Sequence, residues 1–210
     1  TTANGHRTWT YSTGAAIPPY CMIIAVGQFA RLEPGDRTPA PLVYYVPKSD
    51  RPVAMKGFAP SIPSLELFHE LIAPYPYEKL AMIVGATQFG GMENSSAIVF
   101  PSSLFGPKTS AKVSRRFDIP NATVSVIAHE IAHQWFGDSV TESTWSDLWL
   151  SEGFATYFAG VFIQRYEGEQ AFQEYMKTAA SAVFSYEKKK RIPIFDRDTE
   201  DLMDLLNANN

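Results

Sequence analysis

The stretch HEIAHQWFGD, residues 129–138, restricts the fold more than any other part of the chain. It closes a segment from 122 to 136 in which Val124, Ile127, Ala128, Ile131 and Trp135 recur at helical spacing. Pro120 and Asn121 stand in front of that segment and Gly137 behind it, which predicts one helix with an apolar stripe and a C-terminal glycine. His129 and His133 are four residues apart, so both project from one face, a turn apart. Whatever fold forms must bury the stripe and leave two imidazoles converging on one point.

Two imidazoles at that spacing suit a single zinc ion, each nitrogen at about 2.0–2.1 Å. Glu130 points at an angle to the pair and reaches a water on the metal rather than the metal itself. Zinc lowers the pKa of such a water toward about 7; a carboxylate beside it takes the proton and later hands it to a leaving amine. A catalytic zinc needs a third protein ligand and an open position. Glu152 is the candidate, with eighteen residues between it and His133, in WLSEGFATYF of a second predicted helix over 145–166. A glutamate inside so apolar a segment is costly to bury unless it is paired or metal-bound. His-Glu-x-x-His also occurs in helices that merely cap a polar pocket; the second carboxylate-bearing helix tips the reading to metal. His6 and His69 lack such neighbours and read as surface or satisfied side chains.

The rest of the chain divides by texture. Residues 7–46 read as strands: RTWTYST and YCMIIAVGQFARLE are β-rich, PGD at 34–36 supplies a turn, TPAP at 38–41 interrupts, and LVYYV resumes. After Pro47 a helix is predicted over 61–73, with Ser61 or Ser64 as N-cap and Pro74 closing it. EKLAMIVG reads as a strand, FGGMENSSAIVFP as a glycine-rich turn entering another, SSLF as its continuation, and 168–186 as a further helix.

With 210 residues and 45% apolar composition the chain is long enough for a sizeable core. Its balance is mildly acidic, 22 Asp+Glu against 18 Lys+Arg, and KKKR at 188–191 is too short to make a nucleic-acid stripe. No apolar run reaches the roughly 18–20 residues of a membrane span. The single cysteine, Cys21, excludes an internal disulfide and reads as a buried structural thiol. Compartment is not legible.

Three motifs in order, GGMEN at 90–94, HEIAHQWFGD and WLSEGFATYF, resemble the zinc aminopeptidases of the gluzincin clan, the group of alanyl (membrane-type) aminopeptidases and leukotriene hydrolases. The resemblance implies an α+β, thermolysin-like catalytic domain with a mixed sheet over 47–210, preceded at 1–46 by the last strands of a β-rich N-terminal domain. It implies one zinc held by His129, His133 and Glu152, with Glu130 as general base. It also implies that Gly90, Gly91, Met92, Glu93 and Asn94 form the exopeptidase motif, whose glutamate binds the free α-amino group of a peptide substrate. An ammonium held by Glu93 at a fixed distance from zinc lets the metal reach only the first peptide bond. Two departures stand out: Gly91 where the family usually has alanine, and Ser151 where it usually has asparagine.

The family's oxyanion tyrosine, near Tyr-x-Lys-Gly, has no counterpart after Glu152; Tyr157, Tyr166, Tyr175 and Tyr186 are present without that motif. The expectation is a catalytic-domain piece ending just ahead of that tyrosine and of a C-terminal helical domain, and poorly active by itself. Two other functions compete: a thermolysin-type zinc endopeptidase, which Glu93 disfavours, and a zinc- or peptide-binding module without turnover.

Overall fold

The computed structural model describes residues 2–3, 5–35, 39–106, 112–191, 193–195 and 197. Asp36 of the expected 34–36 turn, Thr38 of the 38–41 interruption and the terminal DLMDLLNANN lie outside the described residues. The elements are, in order, β1 (Thr2–Ala3), β2 (His6–Arg7), β3 (Phe29–Leu32), β4 (Leu42–Pro47), α1 (Arg51–Gly57), α2 (Ser61–Leu71), β5 (Leu80–Gly85), β6 (Ala97–Pro101), α3 (Asn121–Ala132), α4 (Trp149–Glu167) and α5 (Glu169–Glu187).

One four-stranded mixed sheet, ordered β3-β4-β5-β6, carries the architecture. β3 runs antiparallel to β4, while β4, β5 and β6 are mutually parallel, with Leu42 opposite Leu80 and Ala81 opposite Ala97. Alternation assigns the faces. Leu42, Tyr44 and Val46 of β4 and Leu80, Met82 and Val84 of β5 enter the main core beneath the helices. Ala81, Ile83 and Val99 form a smaller cluster on the opposite face with Phe29, Tyr45 and Met92. β5 is therefore apolar on both faces, as a central parallel strand must be.

The helices complete the main core along their predicted stripes. Val124, Ile127, Ala128 and Ile131 of α3 are all but fully buried, and Ala155, Ala159 and Phe162 of α4 meet them. Fully burying each large side chain contributes about 1.5–3 kcal/mol. Phe68 of α2 is a hub, with rings of Trp135, Phe158 and Phe162 packed edgewise on it. α5 buries no residue and lies against the outside of α4.

Several expectations are corrected. Residues 8–28 are not strands: between Arg7 and Phe29 the chain has only a 3-10 turn at Pro19–Cys21, and Trp9, Tyr11, Ile24 and Val26 are exposed. Pro18 and Pro19 remove the backbone donors a ladder would need. Helix α1 was not anticipated. α2 is capped by neither serine: Pro60 holds the N-cap position, and Ser64 Oγ bonds back to the Pro60 carbonyl (2.8 Å) while Ser61 Oγ meets Tyr44 Oη (2.6 Å). SSLF is a 3-10 turn rather than more strand, because Pro101 ends the ladder. β4, which pairs with both β3 and β5, runs through positions 46 and 47. His69 is satisfied, accepting the Tyr75 N–H (3.1 Å).

Candidate active site

α3 ends at Ala132, so His133 sits on the helix's last half-turn, still bonded N–H to the His129 carbonyl (3.2 Å). The next residues tighten, with Gln134 and Trp135 bonding three residues back, and the chain leaves through Gly137 at φ 107. That left-handed backbone favours glycine, and a Cβ there would stand 2.9 Å from Ser151 Cβ and 3.3 Å from His133 Nδ1. Gly137 thus lets α4 close onto the second histidine. α4 presents Glu152 in its first turn.

The three side chains expected to meet do meet. His129 Nε2 and His133 Nε2 are 3.0 Å apart, and Glu152 Oε2 lies 3.2 Å from the first and 3.6 Å from the second. His133 Nδ1 stands 3.0 Å from the Phe136 carbonyl, which only accepts, so Nδ1 carries the hydrogen and Nε2 is left facing the cluster. Thr156, one turn beyond Glu152 on α4, contacts His129 Nδ1 (3.4 Å). Burial, then the neighbouring His133, pushes His129 below the usual histidine range. Burial opposes ionisation of Glu152 as well, but the two imidazoles, wherever protonated on Nε2, outweigh it by hydrogen bond and charge and favour the carboxylate.

Glu130, buried on α3, belongs to a second convergence. Its ligand atom and those of Glu93 and His133 lie within 4.8 Å of one another. Burial raises its pKa to about 8. Its Oε2 is buried with no hydrogen-bond partner among the described residues. Its carboxyl rests where a side chain on residue 91 would be: a Cβ on Gly91 would stand 2.4 Å from the Glu130 carboxyl carbon. The glycine at 91 therefore makes room for the general-base candidate.

The GGMEN segment runs antiparallel along the free edge of β6, with Met92 and Val99 exchanging both backbone bonds (2.8 and 2.9 Å). Gly90 is exposed, Gly91 buried, and Met92 and Glu93 half-buried. The segment then bends through Asn94 and Ser95 to Ser96, a non-glycine residue at φ 61.

Residues that sequence reasoning passed over knit the two sides together. Gln134 bonds Glu93, Ser96, Tyr75 and Asp138. Asp138 is buried and accepts from the Cys21 thiol (3.0 Å), and Tyr20 Oη donates to the Gly137 carbonyl (3.3 Å). Burial raises the Asp138 pKa to about 7 and pushes the Cys21 thiol far up, so Cys21 is a structural donor. The available signal was Gln134 itself, a polar side chain set between His133 and the core residue Trp135. Ser151 bonds the Leu148 carbonyl (3.1 Å) and approaches Glu142 (3.5 Å). Of the four tyrosines noted after Glu152, Tyr157 is exposed, and Tyr166 and Tyr175 pack on the core, with Tyr175 Oη on the Thr156 carbonyl.

Comparison with known proteins identifies the family and the fold. The profile of the peptidase family M1 domain matches residues 60–206. A probable aminopeptidase 1 of Sulfurisphaera tokodaii is 36% identical over 143 residues, 67% of this chain but 17% of that protein. The glutamyl aminopeptidase of Rattus norvegicus is 30% identical over 170 residues, 79% of this chain and 18% of its own length. The chain thus spans under a fifth of these two relatives. The native yeast LTA4 hydrolase structure superimposes with a TM-score of 0.70 at 20% identity, over 86% of this chain and 28% of that one, a likeness of fold. Because the matched region encloses both the helix pair that gathers the histidines and the sheet edge that faces them, this chain belongs to peptidase family M1.

Proposed function

We propose that this chain carries the catalytic centre of a zinc aminopeptidase, removing the N-terminal residue of peptides. The observation that carries the reading is the convergence of the His129, His133 and Glu152 ligand atoms within 4.8 Å, with Glu93 and Glu130 gathered around the same His133. Two imidazoles and one carboxylate are the donor set of hydrolytic zinc sites rather than of closed structural ones. The fixed tautomer of His133 and the unpartnered buried oxygen of Glu130 both suit a dication with water beside it. His129, His133 and Glu152 would hold the ion, one per chain. When bound, zinc supplies Lewis acidity toward the scissile carbonyl and acidifies water.

The protein's own groups do the rest. Glu93 receives the substrate's ammonium, and the backbone of Gly90, Gly91 and Met92 lies beside the substrate chain. Glu130 takes a proton from the attacking water and returns it to the departing amine nitrogen. A bond from water oxygen to the carbonyl carbon forms, the C–N bond breaks, and an amino acid and a shortened peptide leave. The raised pKa of Glu130 makes it the stronger base, while a dication nearby pulls it back toward ionisation. An endopeptidase of thermolysin type would need room for an acylated N-terminus where Glu93 stands. The test is hydrolysis of an aminoacyl anilide against its N-acetylated twin by zinc-loaded protein extended to the length of its relatives. Cleavage of the free amine alone is expected; equal cleavage of both would replace this reading with the endopeptidase, and full zinc binding with no cleavage would leave a binding module.

A further inference from the structure

We infer that Gln134 is a positioning residue that sets the register between the amine-binding edge and the metal-holding helix. The inference rests on the aminopeptidase reading and deepens it.

Gln134 is fully buried and follows His133 directly, so neither moves without the other. Its amide is used to capacity. Oε1 accepts the Ser96 N–H (2.7 Å) and a share of the Tyr75 hydroxyl hydrogen (3.2 Å), which also points at the Lys79 carbonyl (3.1 Å). Nε2 donates to the Glu93 carbonyl (3.0 Å) and to Asp138 Oδ2 (2.8 Å). Ser96 offers only a donor and Glu93 only an acceptor, so the amide has one orientation. Those two backbone groups bracket the bend that follows the amine-binding glutamate. One side chain therefore grips both ends of the bend, and it is the neighbour of a candidate metal ligand.

The bend is anchored on its other flank as well. The Ser96 carbonyl accepts from Ala81 N (2.9 Å) and from Lys79 Nζ (2.6 Å), and Ala97 N bonds the Asn94 carbonyl (2.9 Å). Those bonds tie it to β5 and to itself, not to α3. Gln134 supplies the tie to the metal helix. An aminopeptidase selects the first peptide bond by the span from ammonium to metal, and that span runs from Glu93 through Gln134 to His133. A misplacement of about 1 Å in such a span costs on the order of a hundredfold.

The test uses calorimetric titration of leucinamide and N-acetylleucinamide into zinc-loaded protein, with zinc content measured on the same samples. Gln134→Met keeps the side chain's length and removes its four hydrogen bonds. It is expected to retain about one zinc and to lose about tenfold or more of the preference for the free amine. Tyr44→Phe breaks a buried hydroxyl pair with Ser61 elsewhere in the core and is the control for lost stability; it should keep the preference. Where Gln134→Met does not fold, Gln134→Glu carries the test, since it keeps the acceptor for Ser96 and loses the donation to Glu93. A wild-type preference in the Gln134 variant, a loss no larger than in Tyr44→Phe, or a loss of zinc overturns the inference. Glu93→Ala in the same titration separates the two levels. If it leaves the preference intact, the amine-anchor reading falls and this inference with it. If it removes the preference and the Gln134 variant does not, only this inference falls.

Discussion

On the helical side of the site, His129, His133 and Glu152 inherit their positions from regular backbone and from packing that would exist without them. On the sheet side, Glu93 stands ahead of a bend whose Ser96 lies at φ 61, and its place is set by side-chain hydrogen bonds. A non-glycine residue in that conformation costs about 1–3 kcal/mol. Each of the four bonds to Gln134 returns about 0.5–1.5 kcal/mol, so the sum covers the strain. Periodic structure places the candidate metal ligands here through core packing; the irregular edge relies on a dedicated polar anchor. Changes on the two sides should therefore separate cleanly into loss of metal and loss of recognition.

The largest effect is expected on the helical side. His133→Ala should drop bound zinc from about one equivalent to near zero, because one of three protein donors is gone. Metal analysis decides it, and a full equivalent in the variant would break the ligand assignment. In the chain extended to the length of its relatives, Glu130→Gln should retain zinc and lose turnover by about 10²–10⁴-fold, the usual contribution of a positioned acid–base group. Turnover within a few-fold of wild type would move the base elsewhere. On the sheet side, Glu93→Ala should leave zinc alone and reduce the free-over-acetylated preference in kcat/KM by about 10–100-fold, the range of one charge-assisted hydrogen bond.

The smallest effect concerns the joint between the sides. Asp138 has its folded pKa raised from 3.8 to about 7, by burial first, so the fold favours its protonated form. Its contribution to stability is complete below pH 3.8 and is lost as pH rises through about 7. Asp138→Asn keeps an acceptor for Gln134 and should flatten that window, raising Tm at pH 8 by about 2–4 °C for each kcal/mol recovered. Thermal melts of the metal-free protein from pH 4 to 8 measure it; parallel pH curves for the two proteins would show that Asp138 does not titrate there.

What was readable in the sequence follows the same division. The α3 stripe, the two histidines and the return of Glu152 are periodic features, and helical spacing locates them to within a few residues. α4 was expected from 145 and starts at Trp149; a 3-10 turn at Trp145–Asp147 takes up the difference. The sheet side was readable only as a motif, since nothing periodic in GGMENSS says which backbone groups Gln134 will hold. Residues 8–28 were misread because aromatic and β-branched content signals strand only where partners are available, and Pro18 and Pro19 deny them. α1 was missed because seven residues, RPVAMKG, are too few to display a period.

The seam between Cys21 and Asp138 also has a kinetic consequence. His133 and Glu152 are separated by nineteen positions, Gln134 and Ser96 by 38, and Cys21 and Asp138 by 117. Closing the longest of these loops costs about 1.6 kcal/mol more chain entropy than closing the shortest, and distant contacts form late where local ones suffice to start. The helix pair should thus be competent to capture metal while the amino-terminal strap is still free. Cys21, the chain's single thiol and buried when folded, is a natural clock for that last step: during refolding it should remain open to a thiol reagent after zinc has been bound, and close only when the strap docks.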